Sequence, residues 1–137
     1  MMPIATARFL LIAWTSALLS ACVTTQPPAA APMAGVSELA ERPAERALLA
    51  GMRLYDEAMY AQSERALRQA LGAGLHSPRD RAAAHKLLAF ILCTSERVDA
   101  CEGEFRAARV ADPQFALSRS EVGHPTWGPV YRRVHPQ

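Results

Sequence analysis

The sequence has few aromatic residues, few cysteines and almost no excess of charge of either sign. Aromatic residues make up 7% of its 137 residues, and Lys plus Arg exceed Asp plus Glu by a formal net charge of +2. The charges are scattered rather than clustered, so the basic patch that nucleic-acid binding requires is missing, and we exclude that partner. β-Branched residues are sparse after about residue 40, whereas alanine and leucine dominate, which predicts an all-α domain.

The apolar run at residues 9–19 is too short to span a bilayer but has the length of a signal-peptide core. It follows a lone charge, Arg8, and ends in LSAC, whose last residue is Cys22. This ending resembles the lipobox of bacterial lipoproteins, although a chance cysteine after an apolar helix is an alternative. The resemblance implies cleavage before Cys22 and acylation of its thiol and its new amino group, so we expect residues 1–21 to be a lipoprotein signal peptide.

Residues 22–41 are expected to hold the lipid and a tether rich in proline and alanine. Val23 follows Cys22 in place of the aspartate that resembles an inner-membrane retention signal. We therefore expect an outer-membrane, lipid-anchored protein with its domain in the periplasm. A Pro-rich tether extends by about 3.1 Å per residue, so the domain could work at some distance from the membrane.

Four helical segments are predicted after the tether, because apolar residues there recur at helical spacing rather than in alternation. Pro43 suits a first helical turn, and Gly72 and Gly74 suit the end of the second helix. The run SPRD at residues 77–80 predicts the start of a third helix, which reaches about residue 94. A fourth helix is predicted at about residues 98–111, where Asp-Pro ends it.

The second pair of predicted helices repeats the first at an offset of 38 residues. The equivalent pairs are Gly51 and Ala89, Leu54 and Leu92, Tyr60 and Val98, Ser63 and Cys101, Leu67 and Phe105, and Ala70 and Ala108. Small residues thus align with small ones, and large residues with large ones. This pattern resembles the tetratricopeptide repeat, a unit of about 34 residues. A generic pair of alanine-rich hairpins is the alternative. We expect two hairpins at residues 42–113, and because two repeats are fewer than usual, a capping segment at residues 114–137.

Cys93 and Cys101 lie eight residues apart across a predicted helix–helix turn. These positions face each other in an antiparallel pair, and an exported protein meets an oxidising compartment. A disulfide is therefore expected, with two buried free thiols as the alternative. No pair of residues has convincing metal-ligand spacing, so no metal site is predicted.

No catalytic constellation is present, so we expect neither an enzyme, nor a small-molecule substrate, nor a cofactor beyond the lipid on Cys22. Helical repeats bind proteins through the surface of their first helices. That surface and the C-terminal run GHPTWGPV supply the candidate partner-binding residues: Met52, Tyr55, Asp56, Lys86, Phe90, His124 and Trp127. Tyr55 and Phe90 are equally credible as core residues. The C-terminal run is either a docking patch or a turn with a short helix near Pro129 that covers the repeats.

A narrower resemblance combines the lipobox, GMRLYDEAMYAQSERALRQALGAGL, HKLLAFILC with a second cysteine, FRAARVADPQFALSRSE and GHPTWGPVYRRV. Together these runs resemble the TssQ-like lipoproteins associated with type VI secretion systems. The resemblance implies an accessory lipoprotein that binds or scaffolds a protein component of the secretion apparatus. A lipoprotein of another envelope pathway, such as pilus or outer-membrane biogenesis, and a structural spacer without a specific ligand are the alternatives.

Overall fold

A computed structural model describes residues 42–135, which form six α-helices and no strand. The helices are α1 (Pro43–Asp56), α2 (Tyr60–Gly72), α3 (Pro78–Thr94), α4 (Val98–Ala111), α5 (Arg119–Val122) and α6 (Gly128–Val134). The all-α prediction is confirmed, and none of the helices in this part of the chain could cross a membrane. The expected signal peptide at residues 1–21 and the lipid and tether at residues 22–41 lie outside the described residues.

The helix boundaries follow the predicted start and stop residues. Proline occupies the first turn of both α1 and α3, and the Ser77 hydroxyl accepts a hydrogen bond from the Asp80 N–H at 3.3 Å. Gly74, just after α2, has a φ of +85°, a backbone conformation that favours glycine. The short helix α5 was not predicted; it starts with a capping box between Ser118 and Glu121.

The first four helices form two hairpins, α1 with α2 and α3 with α4, and α2 packs against α3. Within the first hairpin, Gly51 lets α1 approach α2 closely, because a Cβ at this position would lie 2.8 Å from the Leu67 side chain. The Ser63 hydroxyl donates to the Gly51 carbonyl at 2.7 Å across the same contact. Small residues therefore bring the paired helices together, as the repeat pattern predicts.

Most equivalent residues of the two hairpins have equivalent burial, although Leu54 is half-buried where Leu92 is buried. Leu67 and Phe105 are both 0% exposed and fill the middle of their hairpins, and Ala70 and Ala108 are also fully buried. This correspondence supports the 38-residue alignment, and the arrangement of two hairpins is compatible with a tetratricopeptide-like fold.

A disulfide joins Cys93 at the end of α3 to Cys101 near the start of α4, with a Cα–Cα distance of 5.3 Å. Both cysteines are buried, at 4% and 0% exposure. The bond therefore closes the second hairpin beside its turn, where the sequence placed it.

The two hairpins are also connected by an ion pair. The Arg97 guanidinium, just before α4, donates to both carboxylate oxygens of Glu64 on α2 at 3.0 and 2.7 Å. The hydrogen bond from Arg97 is the largest cause that lowers the pKa of Glu64, to about 2, and Arg68 adds to it. Burial opposes this shift.

The C-terminal segment covers the end of the second hairpin, because α6 packs on α4. The Tyr131 ring lies 5.3 Å from the Phe105 ring in an edge-on arrangement, and its hydroxyl accepts a hydrogen bond from the Leu117 N–H at 3.3 Å. An ion pair between Arg133 and Glu102, at 2.7 Å, fixes the outer side of α6. This segment is therefore a cap, as expected for a stack of only two hairpins.

Candidate protein-binding groove

The inner helices α1 and α3 contact each other and carry five of the seven predicted partner-binding residues. On α1, Met52 is 41% exposed, Asp56 is exposed and Tyr55 is half-buried. On α3, Phe90 is only 4% exposed, and its ring lies 6.5 Å from that of Tyr55. The structure therefore brings Tyr55 of α1 and Phe90 of α3 together, but it places Phe90 in the core.

The C-terminal segment covers the part of the groove around Phe90. The Trp127 ring stacks on the Phe90 ring with centroids 4.2 Å apart, and the Trp127 indole N–H donates to the Glu121 carbonyl at 2.9 Å. The His124 ring is also stacked on Trp127, at 3.3 Å. Both candidate residues of the GHPTWGPV run are thus engaged within the chain, an arrangement that favours the capping interpretation over a free docking patch.

Lys86 is held by the same segment. Its ammonium group lies 2.7 Å from a Glu121 carboxylate oxygen and 5.7 Å from the centroid of the Phe90 ring. Burial acts to raise the pKa of Glu121, but hydrogen bonds from Lys86 and Ser118 outweigh it, so the pKa is lowered. The carboxylate therefore remains charged and pairs with Lys86.

Tyr55 is half-buried, and its ring lies 5.5 Å from that of Tyr60 and 6.5 Å from that of Phe90. Burial is the main cause that raises the pKa of its hydroxyl, and the nearby Tyr60 and Glu121 raise it further.

Glu121 was not among the predicted site residues, although the S-x-x-E spacing of Ser118 and Glu121 could have revealed the capping box that positions it.

The other part of the groove is open and forms a pocket of about 140 Å³. Its walls come from one stripe of α1 and from the first turn of α3: Glu45, Leu48, Leu49, Met52 and Asp80. Of these, only Met52 was predicted as a partner-binding residue. The α1 residues follow the i, i+3, i+4, i+7 spacing of a single helix face, which could have revealed them.

This pocket combines apolar and acidic groups. Leu48 is 5% exposed and forms a buried wall, while Leu49 and Met52, at 49% and 41%, are exposed. Glu45 is acidic but its side chain is only 8% exposed, and the His76 imidazole lies 3.9 Å from its carboxylate. Such a site suits a side chain that has both apolar and cationic parts.

Two histidines, the half-buried His85 and the buried His135, hold structural elements together. His85 on α3 is bound to Glu104 on α4 at 2.6 Å. His135 donates from Nε2 to the Phe105 carbonyl at 3.3 Å, and Arg109 lies 3.1 Å from its Nδ1. Burial is the largest cause that lowers the pKa of His135, and the charge of Arg109 lowers it further, while the hydrogen bond to the Phe105 carbonyl opposes the shift.

Within residues 42–135, no group of three His, Cys, Asp or Glu side chains is placed to hold a metal ion. Comparison of the chain with protein-family models, with curated proteins and with solved structures found no match.

Proposed function

We propose that this protein is an outer-membrane lipoprotein whose helical domain binds a protein component of an envelope machine. The observation that carries the proposal is the open half of the groove between α1 and α3. Its exposed apolar residues, Leu49 and Met52, lie beside the carboxylate of Glu45. The lipobox at Cys22 supports the location, and the quoted resemblance to TssQ-like lipoproteins supports a type VI secretion system as the machine.

A spacer without a ligand does not require an open apolar pocket. The cap already buries Phe90 and pairs Lys86, so the same fold can seal an inner surface against water. The cap leaves Leu49 and Met52 on α1 uncovered. Solvent-exposed apolar side chains grouped at a concave site are typical of interaction surfaces.

Site-specific photo-crosslinking in the native host tests the proposal. A photoreactive amino acid is placed at Met52 in the open pocket, and a matched control is placed at Val110 on α4, which is 84% exposed. We expect a protein adduct from position 52 that position 110 does not form. Absence of an adduct at both positions would favour the spacer.

The identity of the adduct separates the two classes of machine. A type VI component, with lower type VI secretion in a Met52→Glu variant and normal secretion in Val110→Glu, would support the first assignment. A pilus or outer-membrane biogenesis component would support the alternative pathway. Genomic neighbours without sheath, membrane-complex or spike genes would also count against type VI secretion.

A further inference from the structure

The open half-groove, defined by Glu45, Leu48, Leu49, Met52 and Asp80, contains two carboxylates, those of Glu45 and Asp80. The Glu45 side chain is 8% exposed, and the His76 Nδ1 atom lies 3.9 Å away, beyond hydrogen-bonding distance. The His76 side chain is itself 83% exposed. His76 is therefore a weak partner for Glu45, and the two carboxylates of the pocket would attract a cation that enters it.

The size of the pocket limits what can enter. Its volume of about 140 Å³ is well below the roughly 300–1,000 Å³ typical of small-molecule sites. It suits one long side chain rather than a drug-sized ligand or a folded element. The exposed Leu49 and Met52 then offer apolar contact to the residues on either side of that side chain.

We infer that the open half-groove binds a cationic, apolar segment of a partner protein. An Arg or Lys side chain of that segment enters between Glu45 and Asp80, where its alkyl stem contacts Leu48, and neighbouring apolar side chains of the segment cover Leu49 and Met52. This inference rests on the proposed function, since it names the chemistry of the partner at the same groove.

An anionic lipid surface fits the pocket less well, because it would bring phosphates towards the carboxylates of Glu45 and Asp80, which is repulsive. A second copy of the chain would present exposed arginines such as Arg65 and Arg119. It is therefore an outcome of the test: a dimer of the Cys22→Ser chain that Glu45→Gln with Asp80→Asn dissociates would overturn the inference.

Peptide binding tests the inference on the mature chain with Cys22→Ser, which removes the lipid and leaves every described residue unchanged. The probes are fluorescein-labelled helical peptides of arginine, leucine and alanine, with matched peptides in which glutamate replaces each arginine or serine replaces each leucine. Fluorescence anisotropy should show binding of the first peptide, at least about tenfold weaker binding of both matched peptides, and weakening by added salt.

Variants locate the site. Glu45→Gln with Asp80→Asn should weaken binding of the arginine peptide by about tenfold, because both carboxylates that face the cation are lost. Asp99→Asn is the matched control, since Asp99 is an exposed acid in the first turn of α4. Leu49→Ser, at an exposed position, provides a second test, and circular dichroism verifies that each variant is folded.

The inference would be overturned by equal binding of the glutamate peptide, by unchanged affinity in the carboxylate variants, or by binding to phosphatidylglycerol vesicles that depends on Leu49. If position 52 crosslinks to a protein whose captured segment is acidic, the inference fails while the proposed function stands. If position 52 crosslinks to nothing and no peptide binds, both fail.

Discussion

Two glycines set how closely the helices approach one another. Gly51 allows α1 to reach Leu67 on α2, and Gly128 allows the start of α6 to lie directly against the Val122 carbonyl oxygen at the end of α5. A Cβ at position 128 would overlap that oxygen, and backbone cannot move away as a flexible side chain can. The glycine of the GHPTWGPV run is therefore a packing requirement of the cap.

We expect Gly128→Ala to lower the free energy of unfolding by about 2 kcal/mol, because the added methyl group forces α5 and α6 apart. Gly103→Ala is the matched control: Gly103 is exposed within α4 and has nothing within 4 Å of an added Cβ. That change should stabilise the domain by about 0.5–1 kcal/mol, as expected for Gly to Ala within a helix. Urea unfolding measures both, and equal midpoints would contradict the steric argument.

At the scale of single residues, burial in the hairpins could be predicted but the environment of the cap could not. The repeat alignment paired Leu67 with Phe105, and both are fully buried. No periodicity connects Trp127 to Phe90 or Glu121 to Lys86, because these contacts depend on the path of the irregular segments before α5 and between α5 and α6. The α1 residues of the pocket differ: their helical spacing was visible in the sequence, but only the structure shows that the cap leaves this face uncovered.

At the scale of elements, each hairpin contact has its own reinforcement. The disulfide links α3 covalently to α4. The ion pair between Glu64 and Arg97 connects α2 to the turn before α4. The helix bounds followed from proline, glycine and capping residues, and so α1 to α4 were predicted. α5 was missed because four residues are too few to show helical periodicity, although its capping box was visible in the sequence.

Reduction of the disulfide between Cys93 and Cys101 should cost about 2.5 kcal/mol, because the bond removes the loop-closure entropy of a short segment from the unfolded chain. Urea unfolding of the Cys22→Ser chain with and without reductant measures this difference. A Cys93→Ser, Cys101→Ser double variant is the control and should be insensitive to reductant. An identical midpoint in both conditions, with free alkylation of both thiols in the oxidised protein, would count against the bond.

Loss of the ion pair in Arg97→Gln should cost about 1 kcal/mol, a modest value because Arg97 is 45% exposed to solvent. Arg68→Gln is the matched control: Arg68 contacts the same carboxylate at 2.7 Å, but from within α2. We expect the control to cost less, since its pair does not connect two hairpins. A smaller loss of unfolding free energy for Arg97→Gln than for Arg68→Gln would contradict the role of the Arg97–Glu64 ion pair in connecting the hairpins.

The same carboxylate makes the stability depend on pH. The pKa of Glu64 is lowered from 4.5 to about 2, so its stabilisation is present above about pH 4.5 and is lost as the pH falls towards 2. The difference in unfolding free energy between the wild type and Glu64→Gln should therefore shrink over this range. A difference that stays constant between pH 5 and about pH 2 would contradict the assigned cause.

At the scale of the whole molecule, one C-terminal segment has two effects. It completes a stack of only two hairpins by covering Phe105 with Tyr131, and it fills one half of the inner groove with Trp127. The unfilled half then lies along α1, the first helix after the expected tether. We propose that the domain presents this half to its partner while lipid on Cys22 keeps it at the membrane.

The anchor is a prediction from the lipobox alone, and it can be tested apart from the groove. Intact mass of the membrane-extracted protein should correspond to a chain that starts at a triacylated Cys22, since three acyl chains bind a bilayer far more firmly than one. Cys22→Ser should move the protein from the membrane fraction to the soluble fraction. Cys93→Ser is the matched control and should leave the protein in the membrane fraction, because Cys93 lies within the folded domain. A mature chain that starts elsewhere, or a Cys22→Ser variant that remains membrane-bound, would contradict lipidation at Cys22.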